Sequence, residues 1–233
     1  LNFSERNNNS IRSDVRPGLH QGAKPVNQLS RRCNTGPTTK QVLGRPQIMF
    51  KSLFSGKNRA NRAITDALYA EIVAAARQPA FYSHWQVPDS PLGRFEMLSL
   101  HMFLLQHRLR DENGAAREVA QNLIDEFFLD VDHSLREFGI GDAGVPKRMK
   151  KLARMFYGRT ASYADAIDAS DAPALAAALA RNVRPEAKDW PESAELADYV
   201  FRTVHALANQ RTDDICSGRL NYAEANAGQE SDA

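Results

Sequence analysis

The residues best placed to do chemistry are carboxylates: Asp125-Glu126-Phe127-Phe128-Leu129-Asp130-Val131-Asp132 sets four acids within eight positions. On a helix Glu126 and Asp130 share a face at i, i+4, and Asp125 and Asp132 do so at i, i+7. Such a face can hold Mg²⁺ against a diphosphate, with a nearby basic segment meeting the phosphate oxygens. The Asp-Asp-x-x-Asp spacing that usually serves this purpose is absent. The alternative is a solvated acidic face that pairs with Lys147 to Arg154 or with a basic partner. Of the six histidines, His101 and His107 stand six residues apart, which turns them to different helix faces and fits no metal-ligand spacing. His101, in apolar surroundings, reads as a hydrogen-bonded core histidine, and His133 as solvated. No Gly-x-Ser-x-Gly elbow or phosphate-cradling glycine loop occurs. The two cysteines, Cys33 and Cys216, form no metal or redox spacing and suggest a reducing compartment.

Cations are gathered opposite these acids. Lys147, Arg148, Lys150, Lys151, Arg154 and Arg159 follow one another with no acid between Ala143 and Ala164. Over the whole chain of 233 residues the net charge is only +2, but it is unevenly spread. Residues 1–50 carry eight bases against two acids, residues 51–62 four bases and no acid, and residues 63–233 18 bases against 26 acids. A basic face on an acidic body suits an electrostatic partner, and a basic-faced RNA or ribosome-binding module is one alternative reading. No DNA partner is expected.

The elements that must position these residues are helical. Phe95, Leu98, Met102, Leu105 and Leu109 follow a 3-4-3-4 stripe, which Leu100, Phe103 and Leu104 widen until the helix is apolar on nearly every side. A helix of that kind belongs at the centre of a domain. Its longest uncharged run, Met97 to His107, is eleven residues, against the roughly 20 that a membrane span needs. Asp89 or Ser90 can cap it, with Pro91 in its first turn. Before it lie a helix over Ala60–Gln78, with Ile64, Leu68, Ile72 and Ala75 or Ala76 inward, and an aromatic corner at Phe81, Tyr82 and Trp85. After it, Gly114 closes the turn as a C-cap. Helices follow over Ala115–Phe138 (Val119, Leu123, Phe127, Val131 and Leu135 inward) and Val145–Ile167 (Val145, Met149, Leu152, Phe156, Tyr163 and Ile167 inward). Next come Ala172–Arg181, capped by Asp171, and a last helix from Pro191 with Leu196, Val200, Val204 and Leu207 inward. Strand alternation is missing. The expected fold class is therefore all-α: a single helical domain of about six helices around a buried central helix, with a disordered N-terminal leader.

The domain limits follow from composition. Residues 1–48 are polar and aperiodic, which predicts disorder; they read as a non-native or mis-started leader, a mitochondrial targeting segment, or a genuine tail. Residues 49–59 form a basic amphipathic arm that rests on an anionic membrane or RNA surface, or else docks on the body, with Gly56 weakening its continuity as a helix. Residues 60–211 form the helical domain. Residues 212–233 are expected to be a polar frayed tail.

Seven segments in order resemble the ubiquinol–cytochrome c chaperone family: Trp85-Gln86-Val87-Pro88-Asp89, Gly93-Arg94-Phe95-Glu96, Leu100-His101-Met102-Phe103-Leu104, Phe127-Phe128-Leu129-Asp130-Val131-Asp132, Leu135-Arg136-Glu137-Phe138-Gly139-Ile140-Gly141-Asp142, Val145-Pro146-Lys147-Arg148-Met149-Lys150-Lys151 and Phe156-Tyr157-Gly158-Arg159. The likeness covers about Ala60 to Asn209, and its compact Val87–Arg94 turn looks closer to bacterial members. It implies an assembly chaperone for the cytochrome bc1 complex that receives newly made cytochrome b. In mitochondrial members it also implies a small co-chaperone and a contact near the ribosomal exit. It further implies no catalytic role, no cofactor and no metal, and a cytoplasmic place, peripheral at the inner membrane (the matrix side in a eukaryote).

Two faces are then expected to meet the client or partner. Phe81, Tyr82 and Trp85 with Arg94 and Glu96 border the first; Lys147, Arg148, Lys150 and Lys151, with Arg159, form the second, an electrostatic one. The competing reading makes the aromatics core and Arg94 with Glu96 an internal ion pair.

Overall fold

The computed structural model describes the backbone of residues 50–225 and the side chains of residues 59–225. The expectations for residues 1–49 and 226–233, and for the side chains of the arm, lie outside the described residues. Eight helices follow one another: α1 (Phe50–Ala76), α2 (Pro79–Ser83), α3 (Pro91–Leu109), α4 (Ala115–Glu137), α5 (Val145–Asp168), α6 (Ala172–Val183), α7 (Ser193–Ala208) and α8 (Thr212–Ile215). Six of them are long, α2 and α8 being single turns, and no strand occurs among the described residues. No helix is long and apolar enough to cross a membrane among those described. Arm and first helix are continuous in α1, through Gly56; one glycine costs about 1 kcal/mol relative to alanine, too little to interrupt a cooperative helix.

The central helix is α3. Residues Glu96, Met97 and Ser99 to Leu105 are all buried, because α3 is contacted by α1, α4, α5, α6 and α7. Its start is set by side-chain chemistry: Ser90 Oγ accepts the Gly93 N–H at 3.1 Å and Pro91 occupies the first turn. Asp89 is thereby left free to bind Arg94. Gly93 has no room for a side chain, since a Cβ there would lie 1.9 Å from the Pro88 carbonyl oxygen. The turn and the helix are thus pressed together at this point.

Two groups of rings fill the interior. Phe81 lies 5.0 Å from Tyr199 and 5.5 Å from His101, with Trp85 5.8 Å from Tyr199, ring centre to ring centre. Around α4 and α5, Phe127 stands 5.9 Å from Phe95 and 5.3 Å from Phe156. Fully burying side chains of this size contributes about 1.5–3 kcal/mol each.

Two expectations change at the chain's turns. Gly114 precedes α4 and does not cap α3, which ends at Leu109 with Arg110 as its cap. The segment 212–225 is not a frayed tail: Ile215, Leu220 and Ala225 are buried. The Gln78 side chain clamps it, donating to the Ala223 carbonyl at 3.2 Å and accepting the Ala225 N–H at 2.6 Å. Tyr222 donates to the His101 carbonyl at 2.8 Å.

Candidate functional site

The first expected binding face is largely interior. Phe81 and Trp85 are fully buried, and Trp190 Nε1 donates to the Trp85 carbonyl at 2.9 Å across the core. Tyr82 is half-buried and donates to the Ala76 carbonyl at 3.0 Å; burial pushes its hydroxyl pKa up. These rings are bundled together because α2 is a single turn laid against α3 and α7. Phe81 and Trp85 are core and hold the surface above them, while Tyr82 stays partly in solvent.

Arg94 and Glu96 do not pair with each other. Two residues apart on a helix, they point to different sides. Arg94 is exposed and donates to Asp89 at 2.7 Å, an ion pair that holds the Asp89 carboxyl below its usual range. Glu96 is 3% exposed and accepts from Arg159 of α5. Burial, working against that guanidinium, pushes Glu96 up to about 7. Its other oxygen, Oε1, has no hydrogen-bond partner. Glu96 and Arg159 therefore tie α3 to α5, with Glu96 inside and Arg159 mostly covered.

The acidic segment is already engaged. Glu126 accepts from Arg62 at 2.9 Å, Asp130 from Tyr69 at 2.8 Å, Asp125 from Gln121 at 2.9 Å and Asp132 from Arg136 at 2.7 Å. The partners are thus α1 and α4 side chains and not Lys147 to Arg154, because α4 turns Glu126 and Asp130 toward α1 while Asp125 and Asp132 bond along α4 itself. No group of three or more potential ligands converges on a metal position among the described residues.

His101 is a core histidine as read from the sequence. Its Nδ1–H donates to the Met97 carbonyl at 2.7 Å, which leaves Nε2 to accept the Tyr199 hydroxyl at 2.7 Å. Burial holds its pKa down to about 4, so the ring is neutral.

What the surface does present lies just outside the expected residues. A groove of about 500 Å³ runs between α1, the start of α3 and the end of α4, lined by Val73, Leu92, Phe95, Leu98, Leu135 and Phe138, with Arg77, Arg94, Asp130 and Glu137 as its charged members. Leu92 is 50% exposed and Phe138 65%. Phe138 owes its position to the end of α4. Gly139 takes φ 78°, with Ile140 N–H on the Leu135 carbonyl and Gly139 N–H on that of Arg136, the bonding of a Schellman cap. The reversal leaves Phe138 off the helix's inner stripe. Beside it the loop 139–144 and the first turns of α5 form a second, basic depression, lined by Phe138, Lys147, Arg148, Lys151 and Arg154. Lys147, Arg148, Lys150 and Lys151 are all exposed, as the sequence predicts.

Leu92 and Phe138 escaped sequence reasoning. The signal for Leu92 was present: it extends the Phe95–Leu98 stripe by one step of three toward a helix start, where no neighbour remains to cover it.

The family model described as ubiquinol-cytochrome C chaperone matches residues 83–222. The chain is 26% identical over 136 residues to ubiquinol-cytochrome-c reductase complex assembly factor 1 of Xenopus laevis, covering 58% of this chain and 68% of that protein. It is 24% identical over 149 residues to the Homo sapiens protein of that name, covering 64% of this chain and 50% of the human one. It thus spans about half the length of that relative. A crystal structure described as the Cbp3 homolog from Brucella abortus superposes with a TM-score of 0.71 at 55% identity, over 76% of this chain and 98% of that one.

Proposed function

We propose, from the premise that this chain belongs to the ubiquinol-cytochrome C chaperone family, that it supports assembly of the ubiquinol–cytochrome c reductase complex by holding newly made cytochrome b. The role is one of binding and needs no bond made or broken. The observation that carries the reading is the pairing of Leu92 and Phe138: two large apolar side chains, half or more in solvent, on one groove. Exposed apolar side chains gathered in this way mark a surface that waits for an apolar partner. A groove of about 500 Å³ accepts one or two side chains, the size of an anchor pair at i and i+3 or i+4 on a client helix. The basic stripe on α5 sets orientation and encounter rate. The small co-chaperone and the ribosome belong to the same reading as further partners, and we assign them no surface.

The test is co-purification from cells making tagged cytochrome b. Wild-type chain is captured, and a Leu92→Asp, Phe138→Asp variant is not, although its thermal midpoint stays that of the wild type because both positions are solvated. Capture that survives both substitutions would remove the groove from the reading.

A further inference from the structure

Lys147, Lys150, Lys151 and Arg154 recur at i, i+3, i+4 and i+7, so the first two turns of α5 present one cationic stripe about 10 Å long. With Arg148 at its edge, five exposed cations are gathered there, and none of them forms an ion pair among the described residues. The acids at the end of α4 and in the loop have other neighbours: Asp142 and Asp132 share Arg136, and Glu137 lies against His133 at 3.3 Å. Five cations held on one face repel each other, and an anionic surface laid against them relieves that repulsion.

The same depression has an apolar edge. Phe138, 65% exposed, lines both it and the Leu92 groove. At the other end Tyr157, 57% exposed, stands one turn beyond Arg154. Five cations without an ion pair among the described residues, flanked by an exposed phenylalanine and an exposed tyrosine, form the composition that settles at a lipid–water boundary: headgroup phosphates meet the cations, and the rings enter the boundary. A nucleic acid surface would instead favour rings spaced among the cations as stacking platforms, whereas the rings here stand at the ends.

We infer that this face of α5, with Phe138, seats the protein on an anionic bilayer. The inference rests on the proposed function, in that the groove sharing Phe138 then opens at the bilayer surface, where a membrane-embedded client emerges. The partner is a lipid surface bearing phosphate, and the face acts before any client is present.

The test uses the full chain and protein-free vesicles, one set of phosphatidylcholine and one of phosphatidylcholine mixed with phosphatidylglycerol. The chain sediments with the anionic set only, and less as salt rises through the range in which the screening length falls below about 10 Å. Because residues 1–50 carry eight bases against two acids, the decisive comparison is with Lys147→Gln, Arg148→Gln, Lys150→Gln, Lys151→Gln. This variant loses affinity on the order of a hundredfold or more, and Phe138→Ala loses a smaller factor while keeping its salt dependence. All five positions are solvated, so circular dichroism stays that of the wild type; if the fourfold variant were unfolded, Lys151→Glu alone gives the same reading in reduced size. Undiminished binding by the variant, equal binding to neutral vesicles, or binding lost to vesicles but kept for a single-stranded RNA homopolymer would each overturn the inference. Cytochrome b capture in detergent, where no bilayer exists, reports on the client reading separately.

Discussion

Replacing Glu96 with Gln should change how stability depends on pH, and in a direction that the geometry decides. Glu96 is 3% exposed, holds Arg159 with one oxygen, and leaves Oε1 unpartnered. Burial raises its pKa and Arg159 lowers it; burial wins, carrying the carboxyl from an ordinary 4.5 to about 7. Below pH 4.5 the group is protonated in both folded and unfolded chains. Between 4.5 and 7 the unfolded chain releases the proton while the folded one keeps it, so the folded state binds more protons and stability falls as pH rises. Above 7 both are ionised and the loss is complete. At about 1.4 kcal/mol per pH unit, crossing that interval costs roughly 3 kcal/mol. Gln has the shape of the protonated acid and does not titrate. Urea unfolding of both proteins from pH 4.5 to 8, followed by helical circular dichroism, should show the difference between them moving against the wild type by roughly 3 kcal/mol up to pH 7, then levelling. His101, held near 4 in the fold, acts with the opposite sign between about 4 and 6.5, because there the unfolded chain binds more protons. It is present in both proteins and cancels in the difference. A difference that stays constant, or that favours the wild type with rising pH, would refute the argument, the latter showing that Arg159 outweighs burial.

Two substitutions check the architecture beneath the groove. Gly93→Ala puts a Cβ 1.9 Å from the Pro88 carbonyl oxygen, a backbone atom that cannot step aside alone; a loss of about 2–3 kcal/mol in urea unfolding is expected, whereas Gly158→Ala on α5, with nothing within 4 Å of its Cβ, should gain about 0.5–1 kcal/mol. Ile215→Ala should cost about 2–5 kcal/mol, since Ile215 is fully buried, and a value near zero would return the segment after α7 to the status of a frayed tail.

The helices were legible because their signals are local. The central place of α3 shows in an apolar sequence with no polar side, and the caps at Ser90 and Asp171 show in residue types immediately before proline-started helices. The candidate site was legible only in part, for a reason visible at Glu96. Its partner Arg159 is 63 residues away, and no spacing rule joins a carboxylate on one helix to a guanidinium on another. Arg94, two residues away, was therefore the partner that the competing reading offered, although the helix turns the two apart. The segment after α7 was misread for a related reason: Ile215, Leu220 and Tyr222 have no period, so their burial arises entirely from what they are laid against.

Within the segments that carry the resemblance, buried residues and exposed residues do different work, and the structure separates them. Trp85, Gly93, Glu96 and Arg159 sit in the segments that carry the resemblance; Trp85, Gly93 and Glu96 are buried and Arg159 nearly so. Each fixes a relation between elements: Trp85 joins α2 to Trp190, Gly93 lets the entry turn touch α3, and Glu96 binds α5. Residues of that kind admit few replacements, because burial leaves no slack. Leu92 lies just before one of these segments and Phe138 within another, both in solvent, where many apolar side chains would do the same work. Substituting the buried residues should therefore cost stability first and binding only through it, whereas substituting Leu92, Phe138 or the α5 cations should cost binding with stability unchanged. A variant of Trp85 or Glu96 that unfolds no more easily than the wild type yet loses its client would reverse this division, and would mean that the interior opens to admit the client.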